Sequence, residues 1–316
     1  MTKKSALLAP EKKTGKKKKT SPDYAQWARQ IVKASWNETA SKLPAGLYIV
    51  STPIGNLGDI SLRALETLTK ADVIACEDTR VTGTLLHLYG IKKPLLSYYD
   101  HNADQRQPEI LSRVKMGESV ALVSDAGTPL VSDPGFKLVE ACRAEDLFVT
   151  AIPGASAHLA ALVTAGLPTD KVFFAGFLPP KNLARQKAIS EYANVSATLV
   201  FYEASSRLCA TLDDLAERLG ATRPAVVARE LTKLYEDIQA ETLGNLAAYY
   251  RSHPTPKGEI VILVGPAQKI VSKAIDIDVL LKQKMKTMSL RDAVEFIVET
   301  TGAKKNDVYR HALKLK

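Results

Sequence analysis

The chain has 316 residues, 46% of them hydrophobic, enough for two domains with cores of their own. It contains no apolar run of about eighteen residues, so no transmembrane helix is expected, and its N-terminal lysines lack the apolar stretch that follows them in a secretory signal. The net charge of +9 is concentrated at the ends: residues 1–20 carry +7 and residues 282–316 carry +5, whereas residues 44–281 sum to −4.

Residues 1–22 are expected to be disordered; their lysines, Lys16–Lys19 above all, would strengthen binding to a polyanion without reading its sequence. Residues 23–40 are expected to form a short amphipathic helix with Trp27, Ile31 and Ala34 on one side. The folded body begins at Gly46. Strand 47–50 leads into the loop STPIGNLGD and a helix over 61–70 with Leu62, Leu65 and Leu68 near one face. Strand 72–75 ends in Glu77-Asp78-Thr79-Arg80, helix 81–89 is closed by Gly90, and strand 95–98 runs into Asp100-His101-Asn102. Helix 105–116 leads to strand 119–123 and the loop SDAGTPLVSDPG. After that come helix 137–144, strand 148–152 and a helix opened by Pro153-Gly154-Ala155-Ser156. Strand–helix alternation of this kind argues for a parallel sheet covered by helices.

Apolar residues 172–178 run into Pro179-Pro180, read as a domain boundary. The second half shows strand 198–202, helix 207–219, strand 225–228 and a closing strand 260–264. Residues 289–316 read as two helices, the first capped by Ser289 with Asp292 three residues on and stopped by Gly302, the second capped by Asn306 and containing Val308 and Leu313. The expected organisation is a tail and short helix (1–43), an α/β domain (44–178), a second α/β domain (179–270) and a basic helical module (271–316).

Five strand-end loops carry the polar and small residues: 51–59, 77–80, 100–102, 124–135 and 153–156. In a parallel sheet such loops project from one edge and can share a cleft. Gly127 and Gly135 permit backbone conformations other residues resist, while Pro129 and Pro134 fix theirs, so 124–135 reads as a rigid ligand loop. No GxGxxG or P-loop occurs, so a phosphate cradle is unsupported. Small residues at 55, 127 and 154–156 suit a ligand with an adenine and a ribose but no phosphates. Asp125 is either a polar ligand contact or a turn cap. Cys76, Cys142 and Cys209 are far apart in apolar contexts and read as buried thiols of a cytoplasmic protein. The five histidines show no metal-ligand spacing, so no metal is expected.

TPIGNLGDISLRALETL, EDTR, DHN, VSDAGTPLVSDPG, PGAS with AGLPTD, GFLP, FYEASSR, ARELTK and KGE occur in that order over Leu47–Val264. Together they resemble the ribosomal RNA small subunit methyltransferase I family of the tetrapyrrole methylase superfamily, the class III S-adenosylmethionine-dependent methyltransferases. The resemblance implies two α/β domains with S-adenosylmethionine between them, a homodimer, and 2′-O-methylation of a decoding-centre cytidine in 16S ribosomal RNA of the small subunit. Carried over by motif, the donor site is Pro53, Gly55, Asp125, Gly127, Thr128, Pro129, Val131, Ser156 and Ala157, with Ala204 from the second domain. A ribose hydroxyl must lose a proton to attack a sulfonium methyl; Glu77, Asp78, His101, Glu230 and Lys257 are the candidates for a base or cationic neighbour. Arg80, Arg229, Lys304 and Lys305 are candidate RNA contacts. A small-molecule methylase of the same superfamily and a non-catalytic RNA-binding protein are the rival readings.

Overall fold

A computed structural model describes residues 24–37, 42–267, 277–301 and 303–315. The lysine tail and Gly302 lie outside the described residues. The chain divides into two compact units, residues 1–266 and 267–316.

The first unit contains two five-stranded sheets. In the first, β1 (Gly46–Val50) lies between β4 (Ser119–Val123) and β5 (Val149–Ile152), with β2 (Val73–Cys76) and β3 (Leu95–Ser97) beyond β4. All pairings are parallel, as the alternation predicts. β1, β2 and β4 are buried along their whole length, which explains their unbroken apolar sequence. The helices α2 (Leu62–Lys70), α3 (Thr79–Tyr89), α4 (Ala103–Lys115) and α5 (Phe136–Ala144) lie between the strands in sequence. Ser61 caps α2 through its hydroxyl, which accepts the Ala64 N–H at 3.1 Å. Leu65 and Leu68 are buried with Ala64, whereas Leu62 faces solvent, contrary to expectation.

The helix before β1, α1 (Tyr24–Asn37), packs on α2 and α3. Its buried stripe is Ala28, Ile31 and Val32 rather than Trp27, Ile31 and Ala34. Trp27 and Ala34 are exposed, and Ile31 is shared by the expected and the observed stripe.

The second sheet runs β6 (Val172–Phe177), β7 (Thr198–Ala204), β10 (Glu259–Val264), β8 (Pro224–Arg229) and β9 (Asp237–Thr242), in that order across the sheet. Only β6 and β7 are parallel; the remaining pairings are antiparallel. The chain changes sheet between Ile152 and Val172, through α6 (Ala157–Thr164), so the Pro179-Pro180 break follows the first strand of the second sheet instead of preceding it. α7 (Asn182–Glu191), β9 and α9 (Leu243–Ser252) were not anticipated; α8 (Leu208–Leu219) was.

Among the described residues the second unit contains α10 (Ile277–Lys284), α11 (Leu290–Thr301) and α12 (Lys305–Lys314); α11 and α12 are the pair expected over 289–316, and α10 was not anticipated. Leu281, Val294, Ile297, Val308 and Ala312 form its core, and Leu313 is exposed. Ser289 caps α11 as expected, its hydroxyl accepting the Asp292 N–H at 3.2 Å. Asn306 lies inside α12, whose N-cap position is Lys304.

Candidate active site

The loops after β1, β4 and β5 are knitted together at the carboxyl edge of the first sheet. Thr52 and Gly127 exchange backbone hydrogen bonds, Thr52 N–H to Gly127 O at 2.8 Å and Gly127 N–H to Thr52 O at 3.1 Å. The Ser51 and Thr128 hydroxyls lie 2.9 Å apart, and Thr128 Oγ1 donates to Ala155 O at 3.1 Å. The loop after β2 joins them: Asp125 Oδ1 accepts the Asp78 N–H at 3.2 Å. Four of the five predicted loops therefore meet. The fifth, 100–102, folds on itself, with Asn102 accepting the Tyr99 N–H and donating to Ser97 O. In the central loop Leu130 and Ser132 hold φ of 71° and 69°, conformations costing about 1–3 kcal/mol each that persist only where the surroundings impose them.

A cavity of about 520 Å³ opens between these loops and the second sheet, within the usual range of small-molecule sites. Ala126, Gly127, Ala157 and Ala204 give parts of its wall no bulk. Ile54, Val131, Leu231, Phe177 and Tyr202 make it apolar elsewhere. Four acidic residues line it, but the Glu203 carboxylate is wholly buried against Thr211 and Arg207 and Glu259 pairs with Lys233, so Asp125 and Asp133 supply its negative charge; among the described residues no lysine or arginine lines it. Such a wall suits a cationic ligand and repels a phosphate.

Of the predicted donor-site residues, Asp125, Gly127, Thr128, Val131, Ser156, Ala157 and Ala204 line the cavity, whereas Pro53, Gly55 and Pro129 do not. Asp125 lines the cavity and accepts the Asp78 N–H, so it ties a neighbouring loop rather than capping its own turn. Ser156 precedes α6 without capping it; its hydroxyl lies 2.9 Å from His158 Nδ1, which is also 3.2 Å from the Tyr202 hydroxyl. Burial holds the His158 imidazole below its usual pKa.

None of Glu77, Asp78, His101, Glu230 and Lys257 lines the cavity. Burial, reinforced by the charges of Asp125, Asp133 and Asp100, pushes the Glu77 carboxyl up. Arg80 does the opposite to Asp78: a two-pronged pair at 2.6 and 3.1 Å holds it down at about 2. Glu230 belongs to a latch beside the cavity. Lys233 Nζ donates to Glu230 Oε1 at 2.8 Å and to Glu259 Oε2 at 3.0 Å, and its methylenes cross Gly55 so closely that a Cβ there would lie 2.4 Å from Cγ. Gly55 thus serves passage of the latch. Arg229 donates to the Lys257 carbonyl at 3.3 Å, Lys305 pairs with Glu295 at 3.1 Å, and Lys304 is exposed. Phe177, Tyr202, Glu203, Leu231 and Glu259 were missed as site residues, although all five lie within the quoted motifs GFLP, FYEASSR, ARELTK and KGE.

Residues 46–247 match the family model described as Tetrapyrrole (Corrin/Porphyrin) Methylases, and residues 272–316 match the RsmI C-terminal HTH domain. The chain is 47% identical to a protein named Ribosomal RNA small subunit methyltransferase I from Mesorhizobium japonicum, over 88% of this chain and 94% of that one. It belongs to this family, within the tetrapyrrole methylases. A relative of the same name from Escherichia coli O157:H7 is 41% identical over 88% of this chain and 98% of its own. The tetrapyrrole methylase fold recurs in uroporphyrin-III-C-methyltransferase from Thermus thermophilus (TM-score 0.51, 19% identity, 72% of this chain and 98% of that one) and in the methyltransferase CobJ (TM-score 0.52, 20% identity, 71% and 95%). Both sheets begin within the methylase match, and residues 277–315 fall within the helix-turn-helix match.

Proposed function

We propose that the chain is an S-adenosylmethionine-dependent methyltransferase that methylates the 2′-hydroxyl of a decoding-centre cytidine in 16S ribosomal RNA, acting in the cytoplasm as a homodimer on the small ribosomal subunit. The observation that carries the donor assignment is the cavity wall: the carboxyl groups of Asp125 and Asp133, small residues at close-approach points and no basic side chain among the described residues. S-adenosylmethionine fits those features, having a sulfonium, an ammonium, a ribose and an adenine but no phosphate. When bound it supplies an electrophilic methyl group. Asp125 and Asp133 would complement its positive charge, and the backbone beside Gly127 and Ala157 would approach it closely. Proximity and orientation are then the protein's main contribution to an in-line transfer. Among the candidate bases Asp78 is tied to Arg80, and burial with the charges of Asp125, Asp133 and Asp100 holds the Glu77 carboxyl above its usual pKa, but neither lines the cavity.

The RNA assignment is supported by the names of the relatives, by the match to the helix-turn-helix domain and by the +5 charge of residues 282–316. Arg80, Arg229, Lys304 and Lys305 are the proposed RNA contacts. Calorimetry with S-adenosylmethionine tests the donor half, and absence of binding would refute it. Nucleoside mass mapping of 16S ribosomal RNA from a strain lacking the protein tests the acceptor half, and an unchanged 2′-O-methyl pattern would refute that.

A further inference from the structure

One aromatic side chain in the cavity wall is oriented in a way the strand pattern alone would not produce. β6 pairs regularly with β7 from Val172 to Phe174, then Gly176 takes Phe201 as its partner and Phe177 takes Tyr202, leaving Ala175 as an extra residue. In a regular strand residues 174 and 177, an odd number apart, would point to opposite faces. The extra residue returns them to the same face, where both rings meet Tyr202, Phe174 at a centroid distance of 5.0 Å and Phe177 at 5.5 Å, each edge-on. Gly176 makes the turn possible with φ of 65°, its backbone passing so near Ser132 that a Cβ would lie 3.0 Å from the hydroxyl. Bulges beside active sites commonly re-aim a side chain in this manner. The result is a phenylalanine that lines the cavity yet remains 57% exposed. Tyr202 beneath it is held from behind by His158, whose ring lies 4.8 Å from Phe174, so the aromatic stack supporting Phe177 is fixed.

We propose that Phe177 is the platform on which the base of the target nucleotide stacks while its ribose hydroxyl is presented to the methyl donor. This rests on the RNA methyltransferase reading above. A nucleotide whose sugar must enter a cleft has its base pulled from the neighbouring stack, and an exposed, rigidly backed aromatic ring replaces the lost stacking. Because every base has a π-face, Phe177 contributes affinity and orientation and leaves base identity to other groups.

The test uses the full-length protein with Phe177→Ala, Phe177→Leu and Phe177→Trp, and small ribosomal subunits lacking the modification. Phe177→Ala is expected to raise KM for the subunit about 5- to 150-fold, the range that stacking on an aromatic side chain is worth. It should change the calorimetric Kd for S-adenosylmethionine far less than KM for the subunit, and leave the sedimentation behaviour and the salt dependence of RNA binding unchanged, since no phosphate contact is lost. Phe177→Trp should restore KM and Phe177→Leu should not. An equal loss of S-adenosylmethionine affinity would assign the ring to the donor, and a changed sedimentation coefficient would assign it to a subunit interface; either overturns the proposal, as does full activity in Phe177→Leu. A wild-type protein that binds the donor but methylates no subunit would overturn the underlying reading as well, whereas an active wild type with an unaffected Phe177→Ala overturns this inference alone.

Discussion

Replacing Gly258 by alanine tests whether the latch beside the cavity is rigid. Gly258 has φ of 108°, and a Cβ there would lie 2.4 Å from Glu230 Oε1 and 2.6 Å from Glu230 Cγ. Glu230 cannot swing away freely: Oε1 is bound to Lys233 Nζ at 2.8 Å and to the Glu259 N–H at 3.1 Å, and its own backbone holds φ of 51°. The variant therefore incurs a backbone strain of about 1–3 kcal/mol and breaks charge-assisted hydrogen bonds worth about 1.5–3 kcal/mol, for an expected loss of roughly 3–5 kcal/mol of unfolding free energy. Urea denaturation followed by circular dichroism reads this as a lowered midpoint at constant m-value. The double variant Glu230→Ala, Gly258→Ala removes the clash but keeps the strain, so it should be less destabilised than the sum of the two single changes. S-adenosylmethionine affinity should fall in Gly258→Ala, because Leu231, Gly258 and Glu259 all line the cavity. A single variant within about 0.5 kcal/mol of wild type, the range of an ordinary surface change, would refute the reasoning.

Asp133 carries a carboxyl that burial, then the charges of Asp125 and Asp100, hold above its usual pKa. Its stabilising, protonated form is fully present below the unfolded pKa and lost as pH rises through the folded one. Asp133→Asn should therefore melt above wild type at pH 7.5, with the gain shrinking toward about pH 4, while donor affinity falls; a lower melting temperature at pH 7.5 would contradict this. Asp214 lies with Arg185 in an ion pair at 2.6 Å, the side chains only 6% and 5% exposed. Asp214→Ala should cost about 3–5 kcal/mol by stranding the guanidinium, and the paired change Arg185→Met, Asp214→Leu should recover much of it in the same denaturation assay. Burial pushes the Cys76 and Cys142 thiols up to about 11. Maleimide at pH 7.5 should label half-exposed Cys209 first, as read by intact-protein mass spectrometry; early labelling of Cys76 would show that the β2 end opens.

The first sheet was legible because its central strands are buried on both faces and read as unbroken apolar runs between helical segments. Its loops were legible because turn chemistry needs Gly, Pro, Asp and Ser at fixed places, and four of the five do converge. β9 was not, because DIQAET is a partly exposed edge strand and carries no apolar run. Nor was the antiparallel character of the second sheet, since β8, β9 and β10 are joined without the regular alternation that marks β1 to β5. The cavity wall contributed by Phe177 depends on a one-residue bulge, and a bulge changes side-chain direction without changing the hydropathy pattern. Glu203 escaped notice for another reason: its carboxylate is wholly buried, accepting from Thr211 Oγ1 at 2.6 Å and from the Ala204 N–H at 2.8 Å, so its role depends on partners distant from any turn motif.

Methyl transfer from deuterium-labelled S-adenosylmethionine to small subunits isolated from a strain lacking the protein, followed by nucleoside mass spectrometry, tests the central claim most directly. Deuterated 2′-O-methylcytidine in 16S ribosomal RNA is the expected product. Label in a base, in another nucleoside, or in none would contradict it.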